Sequence, residues 1–258
     1  MSRQKLGQHF LASSKVLQRI IKAAGASGAS LAVEIGPGKG ALTQHLLDRF
    51  ERVIAIELDR DLAQVLRDRW GQEPRLEIVE RNALQVRWTE FGAGVLAGNL
   101  PYYVATAIIS SFVREPGLLG PGIFLIQKEV AERITATPGH REYGYLTVEC
   151  QLLAKAEYLF NVPPGAFQPA PKVDSAVIRL TPVPPPPDIQ VPAFLKFASG
   201  CFRQKRKTLR NNLSPRYPRE MLDLRPEMGR RAEQLTVSEF LDLYRFLEPA
   251  AKPDFEPL

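Results

Sequence analysis

The N-terminal part of the chain alternates between short apolar runs and segments with helical periodicity. Runs rich in β-forming residues occupy positions 31–35, 53–57, 76–79, 95–98 and 123–127. Segments with a helical period separate them at positions 41–49, 62–70, 105–114 and 128–136. Because a strand, a helix and a second strand in succession form a parallel crossover, this alternation predicts an α/β fold built on a parallel sheet.

Two longer strand-like stretches follow, at residues 150–160 and 175–181, with no helical segment between them. We expect them to pair as an antiparallel hairpin with a long loop. The chain then reads Thr181-Pro182-Val183-Pro184-Pro185-Pro186-Pro187, which can continue neither a helix nor a central strand. A stiff spacer is therefore predicted at residues 182–187.

Downstream of the prolines the pattern is helical, at residues 192–202, 205–213 and 237–247. The sequence thus predicts a first domain over residues 1–181 and a small all-helical domain over residues 188–258.

Basic charge is concentrated in the second of these domains. Between Lys196 and Arg231 there are eleven Lys or Arg and three Asp or Glu, a net charge of +8 against +6 for the whole chain. Such a concentration indicates a polyanion as partner. A solvated helical face is the alternative explanation of a charge run taken alone.

The composition argues against several other classes of protein. No apolar run reaches the roughly 18 residues that span a bilayer, and the basic segment 1–11 lacks the apolar stretch of a signal peptide. Three scattered histidines and no Cys pair argue against a zinc site. Cys150 and Cys201 stand among apolar neighbours, so we expect buried free thiols and a cytoplasmic protein.

A glycine-rich loop follows the first predicted strand and opens the first helix of the sheet. It reads Glu34-Ile35-Gly36-Pro37-Gly38-Lys39-Gly40. Its glycines permit a tight turn and let a ligand approach the backbone at a helix N-terminus. The spacing is not that of a dinucleotide loop or a P-loop. It is similar to the cofactor loop of class I methyltransferases, which bind S-adenosylmethionine; a purely structural turn is the alternative.

Polar side chains end the next two strands. Glu57 closes the second strand, seventeen residues after Gly40, and an acid there can accept hydrogen bonds from both ribose hydroxyls of an adenosyl group. Asp59 and Asp61 are better placed to cap the following helix. Asn82 follows the third strand, where a polar side chain can meet an adenine amine or serve only as a loop residue.

The fourth strand ends in the tetrad Asn99-Leu100-Pro101-Tyr102. The exocyclic amine of adenine is a poor nucleophile because its lone pair is delocalised into the ring. The Asn99 side-chain oxygen and the Leu100 carbonyl can each accept a hydrogen bond from one of its two N–H groups. These hydrogen bonds favour the tetrahedral form of the amine, which attacks a methyl group. Pro101 fixes the local backbone and has no N–H to compete for that carbonyl, and Tyr102 offers a flat face for a base.

The predicted chemistry needs no strong base, because an amine becomes cationic on methylation and readily loses a proton. Alignment of amine, methyl and sulfonium then supplies most of the catalysis, on the order of 7–11 kcal/mol. Taken alone, the tetrad fits adenine, cytosine or a glutamine amide equally well.

Four further segments carry a family resemblance. They are Lys5-Leu6-Gly7-Gln8-His9-Phe10-Leu11, Gln127-Lys128-Glu129-Val130-Ala131-Glu132-Arg133, Val162-Pro163-Pro164-Gly165-Ala166-Phe167-Gln168-Pro169-Ala170-Pro171-Lys172-Val173-Asp174-Ser175-Ala176-Val177 and Phe202-Arg203-Gln204-Lys205-Arg206-Lys207-Thr208-Leu209-Arg210-Asn211-Asn212-Leu213. With them, the chain resembles the small-subunit ribosomal RNA adenine dimethyltransferases (the KsgA/RsmA family) from end to end.

The resemblance implies a class I, Rossmann-like methyltransferase fold with a seven-stranded mixed sheet and a small helical C-terminal domain. It implies transfer of four methyl groups from S-adenosylmethionine, making N6,N6-dimethyladenosine at two adjacent adenines near the 3′ end of 16S rRNA. It also implies a role in small-subunit biogenesis. We expect a monomer.

The resemblance also assigns residues. Tyr102 and Phe167 would sandwich the target base, which must be drawn from its stack. His9 stands where the family commonly has Asn, and Asn82 where it commonly has Asp, so a weaker cofactor affinity is expected. The implied cofactor contacts are His9, Leu11, Gly36, Gly38, Glu57, Asn82 and Asn99. A basic helix over residues 203–210 would contact rRNA phosphates through Arg203, Lys205, Arg206, Lys207 and Arg210, and its binding should weaken steeply with salt.

Two alternatives share these features. One is a relative that dimethylates a single adenine in large-subunit rRNA, the resistance type. The other is a ribosome assembly or transcription factor that keeps the fold without the activity. The Arg-Lys-Thr-Leu-Arg-Asn-Asn-Leu run at 206–213 and the two prolines before Gly165 favour the small-subunit type, and the intact loop, Glu57 and tetrad argue against loss of activity.

Overall fold

A computed structural model describes residues 9–115 and 119–250 of the chain. The chain separates into two compact units, one made of Met1–Ala131 and Ala154–Pro182 and the other of Glu132–Leu153 and Val183–Leu258. The boundary between these units in the C-terminal half of the chain falls at Pro182, at the start of the proline segment. The segment Glu132–Leu153, however, groups with the C-terminal helices and not with the first predicted domain.

The first unit carries the strands. They are β1 (Phe10–Leu11), β2 (Leu31–Ile35), β3 (Arg52–Glu57), β4 (Leu76–Glu80), β5 (Gly94–Asn99), β6 (Leu119–Gln127), β7 (Ala154–Val162), β8 (Phe167–Gln168) and β9 (Ser175–Pro182). Seven of them form one sheet in the order β4-β3-β2-β5-β6-β9-β7, and β1 pairs with β8 in a small separate ladder. Neighbours from β4 to β6 are parallel, whereas β9 runs antiparallel to both β6 and β7. The predicted α/β class and the seven-stranded mixed sheet are confirmed.

Helices precede, connect and follow the parallel strands. They are α1 (Ser14–Gly25), α2 (Ala41–Leu47), α3 (Arg60–Trp70), α4 (Ala105–Arg114) and α5 (Lys128–Ile134). Every residue of β2 is buried, as expected of a central strand covered on both faces. The amphipathic helix α1, which was not predicted as an element, buries Val16, Leu17 and Ile20.

The carboxyl ends of three adjacent strands position the site. Ile35 at the end of β2 is in register with Ile56 in β3 and with Gly98 in β5. The residues that follow, Gly36, Glu57 and Asn99, therefore lie side by side at one edge of the sheet. Ligands of open α/β sheets bind at this edge, where the strand order reverses.

The second unit is helical, as predicted. Its helices are α6 (Tyr145–Leu153), α7 (Val191–Cys201), α8 (Leu209–Leu213), α9 (Arg219–Asp223) and α10 (Val237–Leu247). Cys150 and Cys201 are buried free thiols, as expected. Residues 251–258 of the predicted helical domain lie outside the described residues.

The strand predicted at 150–160 was wrong over its first four residues. Cys150 to Leu153 complete α6, and β7 begins at Ala154. The Gln151 side chain donates to the carbonyls of Ile134 and Ala136, contacts that a sequence pattern does not reveal. The hairpin itself is confirmed, because β7 and β9 pair antiparallel.

The basic helix predicted over 203–210 was also wrong. The chain leaves α7 at Phe202 and is irregular until α8 begins at Leu209. The buried Asn212 amide explains this, since it donates to the Cys201 carbonyl at 2.7 Å and accepts the Gln204 N–H at 3.1 Å. The Asn212 side chain, together with a bridge between Thr208 and Arg231, holds residues 202–208 as a loop, which we call the basic loop.

In the described ranges, no helix is both long and apolar enough to cross a membrane.

Candidate functional site

A cavity opens at the carboxyl edge of the sheet, where the ends of β2, β3 and β5 meet. Four parts of the first unit line it: the segment at β1, the glycine loop with the start of α2, the end of β3 with α3, and the tetrad. The lining residues are His9, Phe10, Leu11, Glu34, Gly36, Pro37, Gly38, Lys39, Ala41, Leu42, Glu57, Leu62, Asn99, Leu100, Pro101, Tyr102 and Tyr103. The structure thus brings together most of the residues predicted for the site.

The glycine loop depends on left-handed backbone at its predicted binding positions. Gly36 has φ +64° and Gly38 has φ +59°, values that favour glycine. A Cβ on Gly38 would lie 3.0 Å from the Phe10 ring, so the β1 segment packs closely over this loop. A Cβ on Gly36 would project toward the Asn99 carbonyl, 3.8 Å away, into the space between the loop and the tetrad.

Glu57 has a structural role that the sequence did not indicate. One carboxylate oxygen accepts the N–H groups of Leu58 and Asp59 at 2.9 and 3.0 Å, and the other accepts that of Gly38 at 3.1 Å. Burial raises the pKa of Glu57, and these three hydrogen bonds oppose the rise. The carboxylate ties the glycine loop to the end of β3, while the oxygen that faces Gly38 retains capacity for a further donor.

Glu34 is a second acid at the cavity and was not assigned a role from the sequence. Its side chain is 1% exposed and accepts the Thr43 hydroxyl at 2.6 Å. Burial raises its pKa to about 8, although the Thr43 hydrogen bond lowers it and the nearby Glu57 raises it further. Glu34 is therefore protonated at neutral pH.

This raised pKa predicts a pH-dependent stability. The unfolded Glu34 ionises near 4.5 and the folded one near 8, so between these values the unfolded chain binds fewer protons and the free energy of unfolding falls as pH rises. The variant Glu34→Gln lacks this slope. Relative to wild type, it should gain on the order of 3–5 kcal/mol between pH 5 and pH 8. Urea unfolding of both proteins at the two pH values measures the difference; parallel losses in both would contradict the assignment.

The tetrad presents its acceptors to the cavity. The Asn99 side-chain nitrogen donates to the His9 carbonyl at 2.9 Å, which leaves the amide oxygen as the free acceptor. The Leu100 N–H donates to the Leu125 carbonyl at 3.0 Å. Pro101 begins the turn into α4, because its carbonyl accepts the N–H of Ala105. The main chain of the tetrad is thus fixed from two sides.

Tyr102 is half-buried beside these acceptors. Its hydroxyl is 2.7 Å from the Ser175 hydroxyl in β9. Burial raises the pKa of the phenol and the hydrogen bond with Ser175 opposes the rise, so the group stays neutral at physiological pH. The His9 ring lies over it, with centroids 6.0 Å apart and planes inclined by 30°.

Phe167 is not among the residues that line the cavity, and its predicted stacking against the target base stays a prediction. Phe167 pairs with Leu11 in the β1–β8 ladder, and both side chains point into the core, with 3% and 6% of their surface exposed. A cross-strand pair shares one face of its ladder, so burying Leu11 also turns the Phe167 ring inward. Leu11 nevertheless reaches the cavity wall.

Asn82 lies away from the cavity lining. Its side-chain oxygen accepts the Leu84 N–H at 3.0 Å and caps the short 3₁₀ helix Ala83–Gln85. This is the loop role that the sequence left open as an alternative. Lys5 to Gln8, the start of the first family segment, lie outside the described residues.

In the second unit, the cations of the basic loop and Arg210 in α8 have different partners, and the Lys205 ammonium donates to the Arg141 carbonyl at 2.6 Å. Arg203, Lys205, Arg206 and Lys207 are exposed, and no ion pair joins them to an acidic side chain in the part of the chain that the structure describes. Arg210, by contrast, is partly buried and pairs with Asp223 at 3.0 Å.

Comparison with known proteins finds one matching family and relatives of similar length. The model of the family "Ribosomal RNA adenine dimethylase" matches residues 1–248. A "Ribosomal RNA small subunit methyltransferase A" from Acidobacterium capsulatum is 41% identical over 256 residues, covering 95% of this chain and 90% of that one. One of the same name from Legionella pneumophila is 39% identical, covering 95% and 97%.

Solved structures extend the similarity to the fold. A dimethyladenosine transferase from Plasmodium falciparum superimposes with a TM-score of 0.80 at 26% identity, covering 92% of this chain and 96% of that one. The 23S rRNA methyltransferase ErmE superimposes with a TM-score of 0.75 at 26% identity, covering 93% and 99%. The similarity therefore includes both the sheet and the helical unit.

Proposed function

The chain belongs to the ribosomal RNA adenine dimethylase family, and on that premise we propose that it methylates N6 of two adjacent adenines near the 3′ end of 16S rRNA. S-adenosylmethionine is the methyl donor and the products are N6,N6-dimethyladenosines. One observation carries the proposal: Asn99 and Leu100 of the tetrad line the same cavity as the glycine loop and Glu57.

The chemistry of the cavity lining supports S-adenosylmethionine as its ligand. Because Gly36 has no side chain, the space beside it, which the Cβ of any other residue would enter, is open to a ligand. The Glu57 carboxylate retains an acceptor position next to Gly38, suited to a ribose hydroxyl. When bound, S-adenosylmethionine supplies an electrophilic methyl group. His9, Leu11, Gly36, Gly38, Glu57 and Asn99 would hold it; Asn82 would have to turn from its cap to reach it.

The chain's own contribution to methyl transfer is alignment. The Asn99 oxygen and the Leu100 carbonyl each accept one N–H of the target amine and expose its lone pair toward the methyl carbon. A new N–C bond forms as the C–S bond breaks, and the extra proton leaves N6 to solvent. The orientation of Asn99 is fixed by its bond to the His9 carbonyl, so the acceptor is already in place.

Tyr102 supplies a face on which the target base stacks. Its neutral phenol, bonded to Ser175, is a positioning group and not a proton acceptor. The absence of a required general base agrees with a site in which Glu34 is itself protonated at neutral pH.

For the RNA-binding surface we propose the basic loop, with Arg203, Lys205, Arg206 and Lys207 as phosphate contacts. Arg210 contributes less directly, since it is engaged with Asp223. Phosphate contacts release counterions, so binding should fall with salt. The protein would act as a monomer in the cytoplasm, on the assembling small subunit.

A pair of charge-matched variants tests the basic loop. Arg206→Ala with Lys207→Ala removes two free cations, whereas Arg219→Ala with Arg245→Ala removes two exposed arginines paired with Asp223 and Asp188. We expect the first double variant to bind small subunits at least about tenfold more weakly and to lower the slope of log K against log salt by roughly 1.5–2. Filter binding over a salt series measures both; equal effects of the two variants would show that only net charge matters.

The two alternative functions are less well supported. ErmE, a 23S rRNA methyltransferase, is 26% identical to this chain, whereas the relatives named for the small subunit reach 41%. An assembly factor without activity would not need the acceptor pair and the Glu57 carboxylate to remain at one cavity. A role in assembly is compatible with catalysis.

The decisive experiment identifies the methylated nucleotides. The protein is incubated with methyl-labelled S-adenosylmethionine and, separately, with undermethylated small subunits and large subunits, and the label is mapped by nuclease digestion and mass spectrometry. We expect label at two adjacent adenines of 16S rRNA alone. Label on 23S rRNA, or none on either subunit, would overturn the proposal.

A further inference from the structure

Tyr103, the residue that follows the tetrad, carries an exposed aromatic ring at the edge of the cavity. It belongs to the cavity lining, yet 64% of its surface is exposed. Over residues 9–115 and 119–250, it is the only large apolar or aromatic side chain that is both exposed and part of this lining. A flat ring is therefore accessible from solvent at the mouth of the site.

The Tyr103 ring has no partner in the part of the chain that the structure describes. Its hydroxyl makes no hydrogen bond there, and its ring meets neither another ring nor a cation. Tyr102, by contrast, is half-buried, and its hydroxyl lies 2.7 Å from that of Ser175. Of two consecutive tyrosines, one is thus anchored to β9 and the other is left open for a ligand.

The backbone that carries Tyr103 is fixed. Tyr102 and Tyr103 are the central residues of a turn that leads into α4. The first residue of this turn, Pro101, accepts the N–H groups of Val104 and Ala105, each at 3.0 Å. Because the ring is presented from a rigid turn, less conformational freedom is lost when a ligand stacks on it.

The proposed substrate brings a second base within reach of this ring. Its two target adenines are adjacent, and bases of successive nucleotides in a strand stack about 3.4 Å apart. Cα atoms of consecutive residues are separated by a similar distance, about 3.8 Å. When one adenine is flipped into the cavity, its neighbour loses the stacking partner on that side. An aromatic face one residue beyond Tyr102 can replace that partner.

We propose that Tyr103 is a stacking platform for the nucleotide next to the flipped adenine. The inference rests on the proposed function, because the occupant is the neighbouring adenine of the same RNA. Its base lies flat on the Tyr103 ring at the mouth of the cavity, while the target adenine is held inside beside Asn99. Tyr103 is accordingly a positioning residue that makes no contact with the reacting atoms, and its hydroxyl is not required.

Three substitutions separate the flat ring from apolar bulk. Tyr103→Phe keeps the ring, Tyr103→Leu keeps an apolar side chain without a flat face, and Tyr103→Ala has neither. Stacking of a base on one aromatic face corresponds to a change of roughly 5- to 150-fold. We therefore expect KM for undermethylated small subunits to rise at least about fivefold in Tyr103→Leu and Tyr103→Ala, with kcat within about threefold of wild type. Tyr103→Phe should behave as wild type.

A matched control and a binding measurement exclude a structural effect. Val65→Ala removes another exposed apolar side chain of the same unit, one that lies in α3 outside the cavity lining, and it should leave KM unchanged. Affinity for S-adenosylhomocysteine, measured by calorimetry, should be the same in all three Tyr103 variants as in wild type. A loss of that affinity parallel to the change in KM would assign Tyr103 to the methyl donor and overturn the proposal.

Stacking itself is measured with 2-aminopurine, a fluorescent isomer of adenine whose emission is quenched when it stacks. Small subunits are reconstituted with 16S rRNA that carries it in place of one or the other target adenine, and each protein is added with S-adenosylhomocysteine. In at least one of the two subunits, we expect weaker emission with wild type and Tyr103→Phe than with Tyr103→Leu and Tyr103→Ala. Equal emission with all four proteins in both subunits would refute the platform.

The kinetic outcomes are equally decisive. An unchanged KM in Tyr103→Ala, or a wild-type KM in Tyr103→Leu, would exclude stacking on a flat ring at this position. Wild-type protein run in the same assay shows whether small subunits are methylated at all. If it fails to methylate them, the proposed function is refuted, whereas active wild type with unaffected Tyr103 variants refutes only the platform.

Discussion

Replacing Asn99 with alanine is expected to lower kcat for methyl transfer by about 10²- to 10³-fold, the effect of removing one preorganised hydrogen-bonding group at a reacting centre. In the proposed mechanism, the amide oxygen of Asn99 is the acceptor that favours the tetrahedral amine. Because Asn99 also donates to the His9 carbonyl, the variant releases the β1 segment from the tetrad. Single-turnover transfer to undermethylated small subunits measures the loss.

Two controls define what the Asn99 result means. Asn161→Ala removes an exposed asparagine of β7 in the same unit and should retain full activity. Binding of small subunits should change little in Asn99→Ala, since phosphate contacts dominate that affinity. Normal turnover in Asn99→Ala would contradict the account of amine activation, and a loss confined to RNA binding would place Asn99 outside the chemistry.

Glu57→Gln is expected to weaken binding of S-adenosylmethionine by about 10²-fold and to destabilise the first unit by roughly 2–3 kcal/mol. The carboxylate accepts three backbone N–H groups. A glutamine must turn its NH₂ group toward one set of them, so that donor meets donor. The glycine loop then loses a hydrogen bond to the end of β3, and the ribose loses a carboxylate acceptor. Calorimetry with the methyl donor and urea unfolding measure the two effects separately.

The chain offers a closely matched control in Glu80. It ends β4 in register with Glu57, but it is exposed and its partner is the Arg67 side chain. Exposed ion pairs contribute about 0–1 kcal/mol, so Glu80→Gln should change neither affinity nor stability appreciably. If Glu57→Gln bound the methyl donor as tightly as Glu80→Gln, the ribose role of Glu57 would be wrong.

The fold could be predicted because its signals are local. The apolar runs identify the strands of the parallel sheet, and the residues immediately after them are bound to meet at one edge, since parallel strands end on the same side. Gly36, Glu57 and Asn99 were found in this way. The wrong predictions also rested on local composition alone. Residues 150–153 and the basic loop have strand-like or helix-like composition, yet contacts of Gln151 and Asn212 decide their conformation.

The sequence by itself determined the α/β architecture and the edge of the sheet at which the candidate site lies, because spacing along the chain fixes both, and it predicted the acceptor pair of the tetrad. Only the tertiary structure decided which aromatic rings face each other and in which direction the pKa values of Glu34 and Glu57 shift. His9 and Pro169 are 160 residues apart, and Tyr102 and Ser175 are 73 apart. The raised pKa of Glu34 likewise follows from burial. The hydrogen bond that the Glu57 carboxylate accepts from Gly38 forms because the glycine loop lies against the end of β3. Ring orientation and the cost of burying a charge depend on neighbours that folding brings together, so no local pattern can specify them.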